Sequence, residues 1–207
     1  MQRKRVGILL SGRGSNALSL IKAAQQPDYP AEIVLAISNA PGAPGLAAAA
    51  AEGVPTLTID HRPHLKDREA HERALDSALR EARVEFVALA GYMRVLTPFF
   101  VKAWSGRLIN IHPALCPAFA GLHTHRRALE AGVKLHGCSV HWVVEGVDDG
   151  PLIGQAAVPV LPGDTEETLA VRVLTAEHRL YPACLAAAVT GTAVLPSPQD
   201  VLSNPRF

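Results

Sequence analysis

The run V-G-I-L-L at residues 6–10 is followed at once by S-G-R-G-S-N, and from residue 17 to 24 the apolar positions take helical spacing. Strand, two-glycine turn, helix is the first half of a βαβ unit. A strand that is apolar on both faces belongs inside a parallel sheet, with helices packed on either side. This one stretch therefore commits the chain to an α/β architecture.

The same rhythm continues down the chain. Strands are expected at 31–38, 54–59, 86–90 and 108–112, with an Ala-rich helix at 46–52 and a charged-faced helix at 67–82. Thr97-Pro98 reads as cap and first residue of a helix through 104. After Pro113 the pattern changes. A Pro- and Gly-bearing loop runs to 121, a helix to 131, and strands at 137–144 and 152–160 flank V-D-D-G-P. Asp164 with Glu167 has capping-box spacing for a helix to about 179, continuing after a bend at Pro182. The fold expected is α/β: a Rossmann-like, mostly parallel sheet with helices on both faces and an antiparallel extension in the C-terminal half. One domain covers 1–190, with a phosphate-binding half at 1–105 and a catalytic half at 106–190. The Ser/Pro/Asn-rich stretch 191–207 reads as a weakly ordered tail.

Composition narrows the function classes. The net charge of +1 is spread over interspersed signs with no basic block, which argues against nucleic-acid binding. No apolar run approaches a membrane span, and the N-terminal one is too short for a signal peptide. Three cysteines (Cys116, Cys138, Cys184) form no CxxC pair, which suits a reducing compartment. A soluble, cytoplasmic protein is expected.

Two constellations carry chemistry. In S-G-R-G-S-N, glycines allow a tight turn while Gly14, Ser15 and Asn16 open a helix, a site for a phosphate. There is no third glycine at the dinucleotide position and no G-K-[ST], so nicotinamide binding and ATP hydrolysis are disfavoured. In R-L-I-N-I-H-P, alternation puts Asn110 and His112 on one face at the end of a strand, where open α/β sheets hold ligands. Asp148 sits in the V-D-D-G-P turn, at a rim. A carboxylate near an imidazole orients it and raises its pKa, and an amide beside them can bind an oxyanion. No Ser or Cys stands on a glycine elbow and nothing activates Cys116, so the substrate would supply the nucleophile. His123, His125, His136 and His141 show no H-E-x-x-H spacing, and a metal site is disfavoured.

Together S-G-R-G-S-N, G-Y-M-R-V-L, I-N-I-H-P-A-L, G-L-H-T-H, G-C-S-V-H, V-D-D-G-P and A-E-H-R-L-Y-P resemble the phosphoribosylglycinamide formyltransferase family, in family order and over the chain to about residue 188. The resemblance implies transfer of a formyl group from 10-formyltetrahydrofolate, as cosubstrate, to the amine of glycinamide ribonucleotide in purine synthesis, without a metal. It implies Asn110, His112 and Asp148 as the catalytic group, with His141 in support. Gly14, Ser15 and Asn16 would hold the ribonucleotide phosphate, and Glu177 its glycinamide end. Met93, Arg94, Val95 and Leu96 would line the pterin pocket. Arg68 would meet the glutamate tail. Val144, Glu145, Gly146 and Val147 would form a folate loop, to which Asn110 also contributes. It also implies a cis Cys116–Pro117 bond. Cys116 and Ala120 depart from the aliphatic residue and the proline usual in the family. Related formylfolate hydrolases and methionyl-tRNA formyltransferases carry a further domain for which this chain leaves no room, and a non-catalytic nucleotide-binding module would need only residues 11–16. A monomer or weak homodimer is expected, with small molecules as partners.

Overall fold

The computed structural model describes residues 2–192. Seven strands form one sheet: β1 (Lys4–Leu10), β2 (Ala31–Ser38), β3 (Thr56–Thr58), β4 (Phe86–Leu89), β5 (Leu108–His112), β6 (Leu135–Trp142) and β7 (Leu152–Pro159). Their order is β3-β2-β1-β4-β5-β6-β7. The pairs from β3 to β5 are parallel, whereas β5–β6 and β6–β7 are antiparallel. This is the sheet expected from the sequence.

Among the described residues six α-helices cover it: α1 (Ser15–Ala24), α2 (Pro44–Ala51), α3 (Arg68–Glu81), α4 (Pro98–Ala103), α5 (Thr124–Glu130) and α6 (Glu166–Thr190). Strand β1 explains why both faces are needed. Val6, Ile8 and Leu10 pack against Leu20 and Ile21 of α1 and Leu185 of α6. Leu9 faces the other way, against Leu75 and Leu79 of α3 and Phe100 of α4. Tyr181 of α6 is fully buried and its hydroxyl donates to the Leu89 carbonyl at 2.8 Å, tying α6 to the end of β4.

The strand order reverses beside β1, between its neighbours β2 and β4. Ligands in open α/β sheets bind at such a switch point, beyond the carboxyl ends of the strands. Here the Ser11 amide donates to the Gly91 carbonyl at 3.1 Å, so the turns after β1 and β4 meet at that place.

Several boundaries differ from the sequence reading. Strand β3 keeps three residues, all exposed at the sheet edge. Helix α6 is capped by Thr165 in a box with Thr168, not by Asp164 with Glu167. Asp164 is instead held by Arg172 at 2.7 Å. Helix α6 also runs unbroken through Pro182 to Thr190, with Gly191 as its cap. Thr97 precedes α4 as expected but makes no side-chain cap; its hydroxyl goes to buried Glu72. Of the expected tail, residues 193–207 lie outside the described residues.

Candidate active site

Strand β5 delivers two polar side chains to its end. His112 is buried, and Asn110 stands directly opposite His141 of β6. The third group arrives from the loop between β6 and β7. Asp148 takes a left-handed backbone conformation, φ +54°. A Cβ on Gly150 would lie 1.7 Å from the Trp142 carbonyl, so only glycine lets this loop fold back onto β6.

The carboxylate is thereby drawn inward from the rim position the turn suggested, and its side chain is only 11% exposed. One oxygen, Oδ2, lies 3.1 Å from His112 Nδ1 and accepts from the Gly121 amide at 3.0 Å. The other, Oδ1, lies 3.4 Å from Asn110 Nδ2 and 3.6 Å from His141 Nε2. Burial pushes the Asp148 carboxyl upward, but the His141 ring, the Gly121 amide and the charge of His112 outweigh it and hold it below the usual range.

His112 has an acceptor on each side. Its Nδ1 faces the carboxylate and its Nε2 faces the Phe119 carbonyl at 3.1 Å. Carboxylate and carbonyl only accept, so both contacts are satisfied together only by the doubly protonated ring. His141 differs. Its Nδ1 donates to the Trp142 carbonyl at 2.9 Å, and its Nε2 lies 3.3 Å from Asn110 Nδ2 and 3.6 Å from Asp148 Oδ1, accepting from the amide when the ring is neutral. Asn110 is thus turned with its amino end toward His141 and Asp148. Asn110, His112, His141 and Asp148 form one contiguous cluster.

The phosphate turn is built by close backbone approach. Gly14 has φ +72°, and a Cβ on it would lie 2.6 Å from the Gly45 Cα at the start of α2. No side chain caps α1, and no acidic residue stands in its first turn. A cavity of about 220 Å³ opens there, lined by residues 11–16 together with Ala90, Gly91 and Met93. Backbone amides facing a cavity at a helix start suit an anion.

Asn16 Nδ2 donates to Glu177 Oε2 at 2.8 Å, which orients Glu177. Glu177 is 5% exposed. Burial raises its pKa, and the Asn16 hydrogen bond acts in the opposite direction.

The residues assigned by resemblance to the folate fall into three places. Met93 and Val95 are exposed, Arg94 is half-buried and Leu96 packs on the core. Arg68 opens α3 and is exposed. Val144, Glu145, Gly146 and Val147 form the exposed loop beyond β6, where Glu145 lies 3.6 Å from Lys102. Exposed apolar side chains at a cleft mouth suit a planar ligand.

Some contributors escaped the sequence reading. Ser11 Oγ accepts from the Met93 amide at 2.8 Å and donates to Asn39 Oδ1 at 2.5 Å, which joins the phosphate turn to the Met93 segment. Glu72 accepts from the Thr97 amide at 2.8 Å and fixes the other end of that segment. Its signal was an acid on the apolar face of α3, beside Leu75 and Leu79. Gly121 contributes only its amide, which no residue type announces. His125 and His136 stack edge to face at 5.3 Å, and burial pushes His136 down to about 4. No cluster of three or more His, Cys, Asp or Glu suited to a metal occurs among the described residues. No described helix is long and apolar enough to cross a membrane.

Comparison with known proteins adds to this geometry. The family model described as formyl transferase matches residues 4–185. Phosphoribosylglycinamide formyltransferase of Escherichia coli (strain K12) is 43% identical over 175 residues, 84% of this chain and 82% of that protein. The trifunctional purine biosynthetic protein adenosine-3 of Drosophila pseudoobscura pseudoobscura is 53% identical over 192 residues, 91% of this chain; the chain spans only 14% of that longer protein. The crystal structure of phosphoribosylglycinamide formyltransferase from Brucella melitensis superposes with a TM-score of 0.85 at 52% identity, covering 95% of this chain and 100% of that one.

Proposed function

The chain belongs to the formyl transferase family, and from that premise we propose that it transfers the formyl group of 10-formyltetrahydrofolate to the primary amine of N1-(5-phospho-D-ribosyl)glycinamide, in purine biosynthesis. The observation that carries this reading is the cluster of Asn110, His112 and Asp148 at one end of the sheet, with Asp148 Oδ2 3.1 Å from the His112 ring. A phosphate-binding module would need the cavity at residues 11–16 but not this cluster.

The amine attacks the formyl carbon directly. Asn110 and the protonated His112 stabilise the oxyanion of the tetrahedral adduct. Asp148 holds the imidazole at Nδ1 and helps move the proton from the attacking nitrogen to the departing folate nitrogen. A carbon–nitrogen bond forms on one substrate and breaks on the other, with no covalent bond to the protein. Gly14, Ser15 and Asn16 bind the ribonucleotide phosphate through backbone amides, and Glu177 receives its glycinamide end. Met93, Arg94, Val95 and Leu96, with the loop of Val144, Glu145, Gly146 and Val147, enclose the folate ring, and Arg68 meets its acidic tail. A cytoplasmic setting goes with three free, buried cysteines.

The test is an assay of the purified protein with both substrates. Tetrahydrofolate and formylated ribonucleotide should appear in equal amounts, without added nucleoside triphosphate. Equal release of tetrahydrofolate with water as the sole acceptor would make the protein a hydrolase and overturn the reading.

The Asn16–Glu177 hydrogen bond gives a second expected result. Asn16→Ala removes it and should weaken ribonucleotide binding by about 1–3 kcal/mol, the range for a hydrogen bond to a charged group. Folate binding should be unchanged. Titration of each substrate by calorimetry checks this, and loss of folate affinity alone would contradict the assignment.

A further inference from the structure

The row of the sheet that carries His112 does not end there. His112 stands opposite Ser139 of β6, and Ser139 stands opposite Gln155 of β7. Three polar side chains therefore share one cross-strand row on one face. Gln155 is on the outermost strand, is exposed, and has no part in the chemistry proposed above.

Its hydrogen bonds point back to the site. Gln155 Nε2 donates to the Cys116 carbonyl at 3.0 Å and to Ser139 Oγ at 2.8 Å. Ser139 Oγ in turn donates to the Ala114 carbonyl at 2.7 Å and accepts from the Cys116 amide at 2.9 Å. One donor and two acceptor places are all a hydroxyl has, and here all are filled. Both side chains thus grip the backbone just after His112. The same loop then returns to the site: the Phe119 carbonyl accepts from His112 Nε2, and the Gly121 amide donates to Asp148 Oδ2 at 3.0 Å.

From this juxtaposition we propose that Gln155 is a positioning residue for formyl transfer: with Ser139 it clamps the loop 113–121 and so sets His112 against Asp148. The proposal rests on the catalytic roles given to His112 and Asp148 above.

Shape and hydrogen bonding can be separated. Gln155→Glu keeps the length and branching but removes both donors at neutral pH. Gln155→Met keeps the bulk and removes the polarity. The site is exposed, so neither change threatens the fold. The Gly121 amide is one of the groups holding the Asp148 carboxyl low, beside His141 and His112, while Asn110 Nδ2 lies 3.4 Å from it. Slackening the loop removes part of that hold, and the carboxyl rises.

The experiment compares wild type, Gln155→Glu and Gln155→Met by steady-state kinetics across pH and by amide hydrogen exchange. Turnover should fall about three- to tenfold in both variants, the worth of one hydrogen bond. The ribonucleotide KM should stay within about twofold, because that cavity lies beyond another strand end. The acidic limb of kcat should move to higher pH, and the Gly121 amide should exchange faster. Unchanged turnover and an unmoved limb would reduce Gln155 to a structural residue and overturn the proposal. An inactive wild type would sink the proposed reaction instead. Exchange at Gly121 then still decides the clamp: faster in the variants upholds it, unchanged removes it.

Discussion

Asp148→Asn should lower turnover by about two to four orders of magnitude while leaving both substrate affinities near their wild-type values, the effect of removing a positioned acid–base group. The substitution keeps the shape and still lets an oxygen face His112 Nδ1. It removes the charge that makes a doubly protonated ring the stable partner of two acceptors, Asp148 at 3.1 Å and the Phe119 carbonyl at 3.1 Å. His112→Ala should be similarly damaging. Because both residues serve one proton transfer, the double variant should be little worse than the worse single variant. Turnover of wild type, singles and double gives the coupling, and losses that add fully as barrier changes would end the shared-proton mechanism. The pH dependence has a definite sign. Asp148 has a folded-state pKa below its unfolded value. Its contribution to stability is therefore present above the unfolded pKa, about 3.9, and is lost as pH falls through the lower folded one. The stability gap between wild type and Asp148→Asn should close over that acidic window and not near neutrality.

Local pattern decided how much of this was legible. Strand β2 and strand β5 stand at the expected residues because apolar runs bounded by turn residues leave little freedom. The cap of α6 was misplaced by one residue for a specific reason. Asp164 and Thr165 can both cap, and the choice depends on Arg172, eight residues on, which claims the Asp164 carboxylate. Pro182 suggested a break with a bend, yet α6 continues through it, with Tyr181 and Leu185 buried on either side of it in the core. The site was legible as residue types at strand ends, but its assembly was not. Nothing local says that a turn aspartate will be covered by a loop starting at Pro113, or that Asn16 will meet Glu177 across 161 positions of sequence. Resemblance to a family grouped Asn110, His112 and Asp148, whereas these contacts came only with the structure. The phosphate turn shows the difference best. Sequence reading gave Asn16 to the phosphate, and the structure adds that its carboxamide donates to Glu177 of α6.

Asn110→Ala should cost about two to three orders of magnitude in turnover, the range for removing one oxyanion donor. The argument starts from how the amide is turned. His141 Nδ1 is committed to the Trp142 carbonyl, so in the neutral ring its Nε2 accepts, and Asp148 Oδ1 also accepts. Both therefore call for the amino end of the Asn110 carboxamide, at 3.3 Å and 3.4 Å. These are long contacts, of a kind that tightens or is exchanged when substrate enters. A developing oxyanion competes better for the same N–H groups than a neutral imidazole does, because charge-assisted hydrogen bonds are about twice as strong. The donor thus gains more in the transition state than in the free protein, and its loss falls on kcat. Asn110→Asp is the sharper test. It replaces the donor by an acceptor and sets a second carboxylate beside Asp148, where two like charges cannot both ionise freely. One of the pair should take up a proton, and the variant should be less active than Asn110→Ala at neutral pH. Single-turnover measurements with both substrates saturating separate this from a binding effect. A raised ribonucleotide KM with kcat intact in Asn110→Ala would show that the amide binds substrate and does not stabilise the oxyanion.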